Sequence, residues 1–333
     1  MFVSPSARPT ESTLARMSQS RFLRKYFGRP YLRMNIQIWN HLPTSIALWR
    51  PVREYGRHLH RLIQLRATRT QSVGTFFFRN RPELELLIRL LDRRRQNSPL
   101  NVAVLACSKG AEIYSISYTI RCARTDLKVR LCALDISKDI LDFAEAGAYS
   151  LRSSDSSEAA SHSPLAGDKD VKDVAKNTSR DQPSSIFERM SSGEMEAMFD
   201  SAEDQVRVKS QFRGVTWQLG DATDAGFLQD IMVANWFLCH MDPEKAEECL
   251  RNLVRLVKPG GYLFVSGVDL DVRSKVAREL GWRPVTELIS EIHEGDPSLR
   301  RDWPLQYWGL EPFDQGRIDW TIRYASVFQC GEV

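Results

Sequence analysis

Glu112 and Asp135 are the two residues of this chain whose type and setting point most directly to chemistry. Glu112 closes a turn of small residues, Ala106-Cys107-Ser108-Lys109-Gly110-Ala111, and Asp135 ends the apolar run Val129-Arg130-Leu131-Cys132-Ala133-Leu134. Small residues such as Ala106, Ser108 and Gly110 let the backbone approach a ligand. The helix that follows offers free N–H groups at its start. An acid at the tip of the next strand can accept hydrogen bonds from two ribose hydroxyls. Asp135 falls 25 residues after Gly110, near the spacing this role needs.

The turn holds only Gly110 where a dinucleotide site would carry G-x-G-x-x-G, so a pyrophosphate is disfavoured. A nucleoside ligand without phosphates asks less of the backbone. S-adenosylmethionine (SAM) is such a ligand, with an adenosine, a sulfonium, an ammonium and a carboxylate. Glu112 suits the ammonium and Asp135 the ribose. The competing reading is an ordinary buried βαβ unit whose acids happen to lie at strand ends.

Positioning these groups requires a β-α-β unit. The first apolar run, Val102 to Leu105, predicts a strand. A helical pattern follows from Tyr114 to about Arg124, and the second run predicts the neighbouring strand. Ahead of the unit, Arg81-Pro82-Glu83 opens a helix expected to reach about Arg95, with Leu84, Leu87, Ile88 and Leu91 as its apolar stripe.

Several motifs, in order, resemble the CheR-type methyltransferases, which methylate receptor glutamates in bacterial chemotaxis. Thr75-Phe76-Phe77-Phe78-Arg79 is similar to that family's T-x-F-F-R. Ala106 to Ile116 is similar to its A-x-C-S-x-G-E-E-x-Y-S-I, and Leu134-Asp135-Ile136-Ser137 with Ala144, Gly147 and Tyr149 to its D-I-x…A-x-x-G-x-Y. Lys258-Pro259-Gly260-Gly261-Tyr262-Leu263 resembles a strand common to class I methyltransferases. The likeness runs from about Val73 to Ser266 and is poor elsewhere.

The resemblance implies a Rossmann-like α/β fold, with a mostly parallel seven-stranded sheet, an antiparallel last strand and a small helical N-terminal region before it. It implies SAM as cofactor. By similarity, Thr75 and Arg79 line the methionine end and the reaction centre, Glu112 meets the amino group, and Asp135, followed by Ile136, binds the ribose. Asp221-Ala222 stands in the place of the adenine-flanking pair. Asn235, followed by Trp236, stands in the place of the asparagine of C-R-N-x-x-x-Y-F. Arg79 is assigned the catalytic role, orienting an acidic acceptor or the SAM carboxylate, because its fork binds oxygens in pairs.

The departures fall on the acceptor side. Ala234 replaces the arginine before that asparagine, and the motif's tyrosine falls near Cys239. A polar residue before Thr75 is replaced by Val73 or Gly74, and the S-E after the P-G-G strand reads Ser266-Gly267-Val268-Asp269. Two readings stay open. One is a SAM-dependent methyltransferase of unidentified acceptor, with a protein carboxylate as the family-based candidate. The other is a degenerate SAM-binding or SAM-free relative serving as a regulatory or scaffold module. A carboxylate acceptor needs no general base, whereas an alcohol or amine would want one. His240 lies on the loop past Asn235, where a cap or surface role outweighs a role as base.

Composition bounds the rest. At 333 residues and 42% apolar content, one or two domains with a sizeable core are expected, and no run of apolar residues is long enough to span a membrane. The six cysteines form no C-x-x-C pair and read as buried thiols of a reducing, cytoplasmic compartment rather than as ligands of a metal. Residues 1–70 carry thirteen Arg or Lys against Glu11 and Glu54, a balance of +11, so the remaining chain carries −7. Such a basic segment suits an acidic partner or anionic surface. A transit peptide or a solvated helical cap is the alternative, and nucleic acid ranks lower.

The domain reading is a basic helical region at 1–70, the first part of a SAM-binding domain at 71–149, a disordered insert at 150–185, and the second part at 186–333. Little strand pattern is visible near the insert beyond Val206-Arg207-Val208, and Ile186 to Phe199 reads as a helix. Val215–Leu219, Ile231–Ala234 and Tyr262–Ser266 predict strands, and Asp242 is expected to cap a helix running to Val257. Ile322 to Gln329 predicts the last, antiparallel strand, and the aromatic segment Asp302 to Gly309 either packs on it, the favoured reading, or closes over an acceptor.

Overall fold

The computed structural model describes residues 29–47, 49–65, 67, 69, 74–151, 185–222 and 228–331. Residues 1–28, most of the expected disordered insert, and Val73 lie outside the described residues. The chain divides into two units, one formed by the N-terminal region to Arg66 with Asp302–Glu311, the other by the rest.

The smaller unit contains helices α1 (Arg29–Asn40), α2 (Thr44–Ala47) and α3 (Arg50–Gln64). Its aromatic segment does not pack on the last strand as expected; it belongs to these helices. Trp303 meets Trp39 edge to face at 5.4 Å, and a Cβ on Gly56 would come within 2.3 Å of the Trp303 ring. Arg57 of α3 reaches Glu311 at 3.3 Å and also pairs with Glu54. An exposed helix would leave these indoles in water; burying them against a glycine gives the segment its place.

The larger unit is built on a seven-stranded sheet. Helix α4 (Arg81–Leu91) leads into β1 (Pro99–Leu105), α5 (Ala111–Ala123), β2 (Lys128–Asp135) and α6 (Lys138–Ala146). Next come β3 (Ala148–Ser150), α7 (Ser192–Met198), β4 (Phe199–Ala202), β5 (Gln205–Val208), β6 (Val215–Leu219) and β7 (Gln229–Val233). The chain ends with α8 (Pro243–Leu253), β8 (Val257–Phe264), α9 (Leu270–Glu279), β9 (Arg283–Pro284), α10 (Ile289–His293), α11 (Pro297–Asp302), α12 (Trp320–Tyr324) and β10 (Val327–Gln329). Strand order is β6-β2-β1-β7-β8-β10-β9. Pairs from β6 to β8 are parallel, while β10 runs antiparallel to both β8 and β9. This is the expected mostly parallel sheet with its antiparallel strand.

Strand β1 lies inside the sheet, between β2 and β7. Val102 and Val104 join one buried cluster with α4 and α5, whereas Ala103 and Leu105 join another with α8 and α9. That parity is how a strand covered on both faces divides its side chains. From β1 the chain goes to β2 on one side and β7 lies on the other, so the order reverses there. Loops following the carboxyl ends of such strands form a crevice at the reversal, which is where open α/β sheets bind ligands.

Several boundaries differ from those expected. Helix α4 ends at Leu91 and turns, so Arg93 and Arg94 leave it to pair with Glu287 and Asp230. Its buried stripe is Glu83, Leu86, Leu87, Leu90 and Leu91, shifted from the predicted one, with Leu84 and Ile88 half-buried. Helix α8 ends at Leu253, and Asp242 makes no side-chain cap bond. Ile322 to Tyr324 is helical in α12, so β10 is shorter than predicted.

A second, three-stranded antiparallel sheet, β3-β5-β4, stands where little strand pattern was expected. Its strands are only three or four residues long, and β3 pairs with β5 across a wide gap in sequence. Phe77, Tyr149, Phe199 and Phe187 pack beneath it with ring centroids 5.2 to 6.2 Å apart. Aromatic burial supplies the stability that so short a sheet lacks.

Candidate functional site

The turn after β1 is built from left-handed backbone. Ala106, Ser108 and Gly110 have φ of 49°, 51° and 82°. Two of the three are not glycine, and such strain persists where surrounding contacts impose it, commonly at functional sites. Here the Cys107 N–H donates to Leu134 O at 2.9 Å, and the Tyr149 hydroxyl donates to Lys109 O at 2.7 Å. Gly110 does not face the crevice. It caps α5 from behind, where a Cβ would stand 3.1 Å from Ala144 and 3.2 Å from Tyr114. Its role is conformational rather than one of ligand approach.

Asp135, at the end of β2, uses both carboxylate oxygens to hold this turn and the next. Oδ2 accepts from Ser108 N at 3.0 Å and Oδ1 from Ser137 N at 3.1 Å. A carboxylate has about four acceptor positions, so roughly two stay available for a pair of hydroxyls. Glu112 stands in the first turn of α5. Burial raises the pKa of its carboxyl, while Asn235 and Arg79 oppose that shift.

Asn235 follows β7 and is buried. Its Oδ1 accepts from Ser266 N at 2.7 Å, which fixes the direction of the amide. The Nδ2 group then donates to Glu112 Oε1 at 2.8 Å and to Glu83 Oε1 at 2.6 Å. Glu83 Oε2 accepts from Ser266 Oγ at 3.1 Å. Burial, followed by the charge of Glu112, raises the Glu83 carboxyl from 4.5 to about 7.

Arg79 is half-buried. Its guanidinium lies 5.2 Å from the ring centroids of Phe76 and Trp236, and Nη2 donates to Gly74 O at 3.3 Å. The Nε atom is buried with no hydrogen-bond partner. Burial lowers its pKa, and Asp296 and Glu112 work against that. The nearby acids of α4 are engaged elsewhere, Glu83 with Asn235 and Glu85 with Arg89. Behind this residue, Arg189 donates to the Arg79 carbonyl, pairs with Asp296 at 3.0 Å and stacks over Phe76. Trp236 has φ of 62°, held by Trp236 N to Ser266 O at 3.0 Å.

One cavity of about 630 Å3 gathers these groups. Thr75, Arg79, Ala106, Ser108, Glu112, Asp135, Ile136, Asp221, Ala222, Asn235 and Trp236 all line it; of the expected set, Gly110 alone does not. Glu112 and Asp135 therefore open onto the same space. His240 lines it too.

Sequence reasoning missed part of the wall. Lys245, Glu248, Cys249 and Asn252 of α8 reach the cavity, at the i, i+3, i+4, i+7 spacing of one helical face. Arg69 was counted only as part of the basic segment. It turns inward, donating to the carbonyls of Cys239 and Met241 and pairing with Asp269 at 2.9 Å, which fixes the loop carrying His240. Glu83 had a signal, an acid on the buried face of an amphipathic helix. Burial pushes the thiols of Cys107 and Cys249 above their ordinary value and Cys239 up to about 12.

The donor set fits SAM. Two acids, Asp135 with acceptor positions to spare and Glu112 in the first turn of a helix, share a cavity with a guanidinium that has an unsatisfied buried N–H. The strand order and this crevice define a class I SAM-dependent methyltransferase. Residues 74–164 match the family described as CheR methyltransferase, SAM binding domain, and residues 193–265 match the one described as methyltransferase domain. The chain is a SAM-dependent methyltransferase, with SAM as its cofactor, and its likeness to the CheR type is confined to the matched segment. No curated protein matches it.

Solved structures similar to the chain include magnesium protoporphyrin IX methyltransferase from Synechocystis PCC 6803 with bound SAM. That likeness has 12% identity, covers 61% of this chain and 69% of the other, and has a TM-score of 0.32. The N-methyltransferase NodS from Bradyrhizobium japonicum WM9, in complex with S-adenosyl-L-homocysteine, is 15% identical over 62% of this chain and 76% of its own, with a TM-score of 0.31. Among the described residues, no helix is long and apolar enough to cross a membrane.

Proposed function

We propose that this chain transfers the methyl group of SAM to a carboxylate, with a protein glutamate side chain as the candidate acceptor. In this reading Glu112 takes the donor's ammonium, Asp135 the ribose hydroxyls, and Asp221 with Ala222 flanks the adenine. Thr75 and Asn235 border the methionine end. SAM supplies a methyl group on a positively charged sulfur, displaced in line by the acceptor.

The observation that carries the acceptor class is Arg79. Its guanidinium is clamped between Phe76 and Trp236 at the cavity wall, with Nε buried and unsatisfied. A buried donor of that kind is worth most when an anionic oxygen meets it. The rings hold the fork in one plane, so an arriving carboxylate is oriented before reaction, and orientation is the larger part of catalysis for such a displacement. A carboxylate is already ionised near neutral pH, so no proton need be removed. The phenyl and indole faces beside Arg79 also favour a cationic sulfur.

One observation favours a second reading. His240 lines the same cavity and could act as general base toward a hydroxyl or amine. Transfer of tritiated methyl from SAM to proteins of a lysate, followed by mild alkali, decides between them. A carboxyl ester releases volatile methanol in alkali. Alkali-stable label lost in His240→Asn would replace the carboxylate reading.

The compartment and the partner belong to the same proposal. All six cysteines are free, which supports a reducing compartment such as the cytoplasm. The +11 balance of residues 1–70 supports an acidic partner for that segment.

A further inference from the structure

Glu83 has no place in the proposed chemistry, yet its carboxylate is buried just behind the cavity. Its side chain does not reach the large cavity; it stands one amide behind the wall. The two Nδ2 hydrogens of Asn235 are divided between Glu83 and Glu112, and the Ser266 N–H on Oδ1 prevents the amide from turning over. Ser266 Oγ takes the second Glu83 oxygen, so that carboxylate is held at both ends.

The charges around the pair are unbalanced. Glu83 faces Glu112 from α5 and Arg273 from α9, with Asn235 and Ser266 as neutral donors. Glu112 faces Arg79. Arg273 is committed to the carbonyls of Val265 and Arg323 and forms no ion pair with Glu83. Two carboxylates sharing one neutral amide do not both ionise readily. A cation arriving at Glu112 changes that balance. A chamber of about 30 Å3 borders Arg79, Glu83, Glu112 and Asn235, space enough for a water to carry a proton.

We propose that Glu83 is a positioning residue for the ammonium end of the methyl donor, holding Glu112 through the shared Asn235 amide, and that the two carboxylates receive that cation as a coupled pair with release of a proton to solvent. This rests on the reading that Glu112 meets the ammonium. The donor's positive charge replaces the proton as the partner of the second negative charge, so charge is conserved in the site.

The test is calorimetric titration of the full chain with S-adenosylhomocysteine, which keeps the ammonium, in phosphate and in Tris. The buffer dependence of the heat counts the protons released. The wild type is expected to release a fraction of a proton near pH 7 and to bind about tenfold more tightly near pH 8 than near pH 6. Glu83→Gln keeps the hydrogen bonds and removes the titration. It is expected to bind with no proton release and a nearly flat pH profile. Glu83→Leu frees Asn235 and is expected to weaken binding by about tenfold or more at every pH.

Unchanged proton release in Glu83→Gln would overturn the proposal, and so would wild-type affinity in Glu83→Leu. Failure of the underlying reading looks different: the wild type would not bind, or Glu112→Gln would bind as well as wild type.

Discussion

Gly267 lies directly against Trp236. A Cβ at residue 267 would fall 2.4 Å from Trp236 Cε3 and 2.8 Å from its Cα, and Gly267 itself has φ of 64°. The indole that flanks Arg79 is therefore seated on a position where no side chain fits. Since Trp236 also adopts left-handed backbone, the two residues support one strained corner.

Gly267→Ala is expected to lower stability by about 1–3 kcal/mol. The loss should come with weakened homocysteine-analogue binding, because Asn235 and Trp236 are adjacent. Thermal unfolding and calorimetry on the same variant measure both. A variant that keeps full stability and full affinity would mean the corner relaxes freely.

Asp135 braces the turn through Ser108 N and, in the proposed reading, also presents its remaining acceptor positions to the ribose. Asp135→Asn is expected to cost about tenfold or more in affinity for S-adenosylhomocysteine, through the lost charge-assisted bonds. Asp135→Ala should cost further stability by freeing the Ser108 amide. Comparing the two by calorimetry and melting separates the tasks.

For Arg79, the conservative change is the informative one. Lysine keeps the charge but loses the planar fork and its stacking between Phe76 and Trp236. Arg79→Lys is expected to lower kcat/KM by about 100-fold, about 2.7 kcal/mol, while affinity for S-adenosylhomocysteine changes by less than about threefold. Steady-state kinetics with the labelled donor reads the first and titration the second.

Stability should depend on pH through Glu83. Its carboxyl moves from 4.5 to about 7 on folding, with burial as the main cause. The folded state then binds more protons than the unfolded chain between those values. Stability from this group is complete below about pH 4.5 and is lost as pH rises through about 7, a difference of about 3 kcal/mol at most. Chemical denaturation at intervals across that window is expected to show the decline in wild type and a shallower one in Glu83→Gln.

The central β-α-β unit was legible because three signals coincide there: buried runs at strand length, a small-residue turn, and an acid at the strand tip. The residues around it that were not legible share a physical reason. Trp320 to Tyr324 alternates apolar and polar like a strand, but burying both Arg323 and Tyr324 requires a helical turn, with Arg323 reaching Asp271 at 2.8 Å. The small antiparallel sheet has strands too short for a period of two to emerge, and its stability comes from aromatic rings brought together from distant segments. Glu83 was read as a helix-opening residue because sequence does not reveal that Asn235 and Ser266 arrive beside it. Lys245, Glu248 and Asn252 form a polar stripe indistinguishable by pattern from a solvated face.

The backbone around Arg79 is anchored by residues 186–189, far along the chain. Phe77 N donates to Ile186 O at 3.0 Å, Phe187 stacks on Phe77, and Arg189 grips the Arg79 carbonyl. The Leu151 N–H donates to Asp204 O at 2.8 Å, and Ser185 leads directly into the residues that hold Phe77 and Arg79. A fragment ended at Leu151 would keep Asp135 and its turn, yet Arg79 would lose the contacts made by residues 186–189. In the proposed roles of these two residues, recognition of the methyl donor and competence to pass the methyl on are stored in different stretches of the polypeptide, and they can be lost separately.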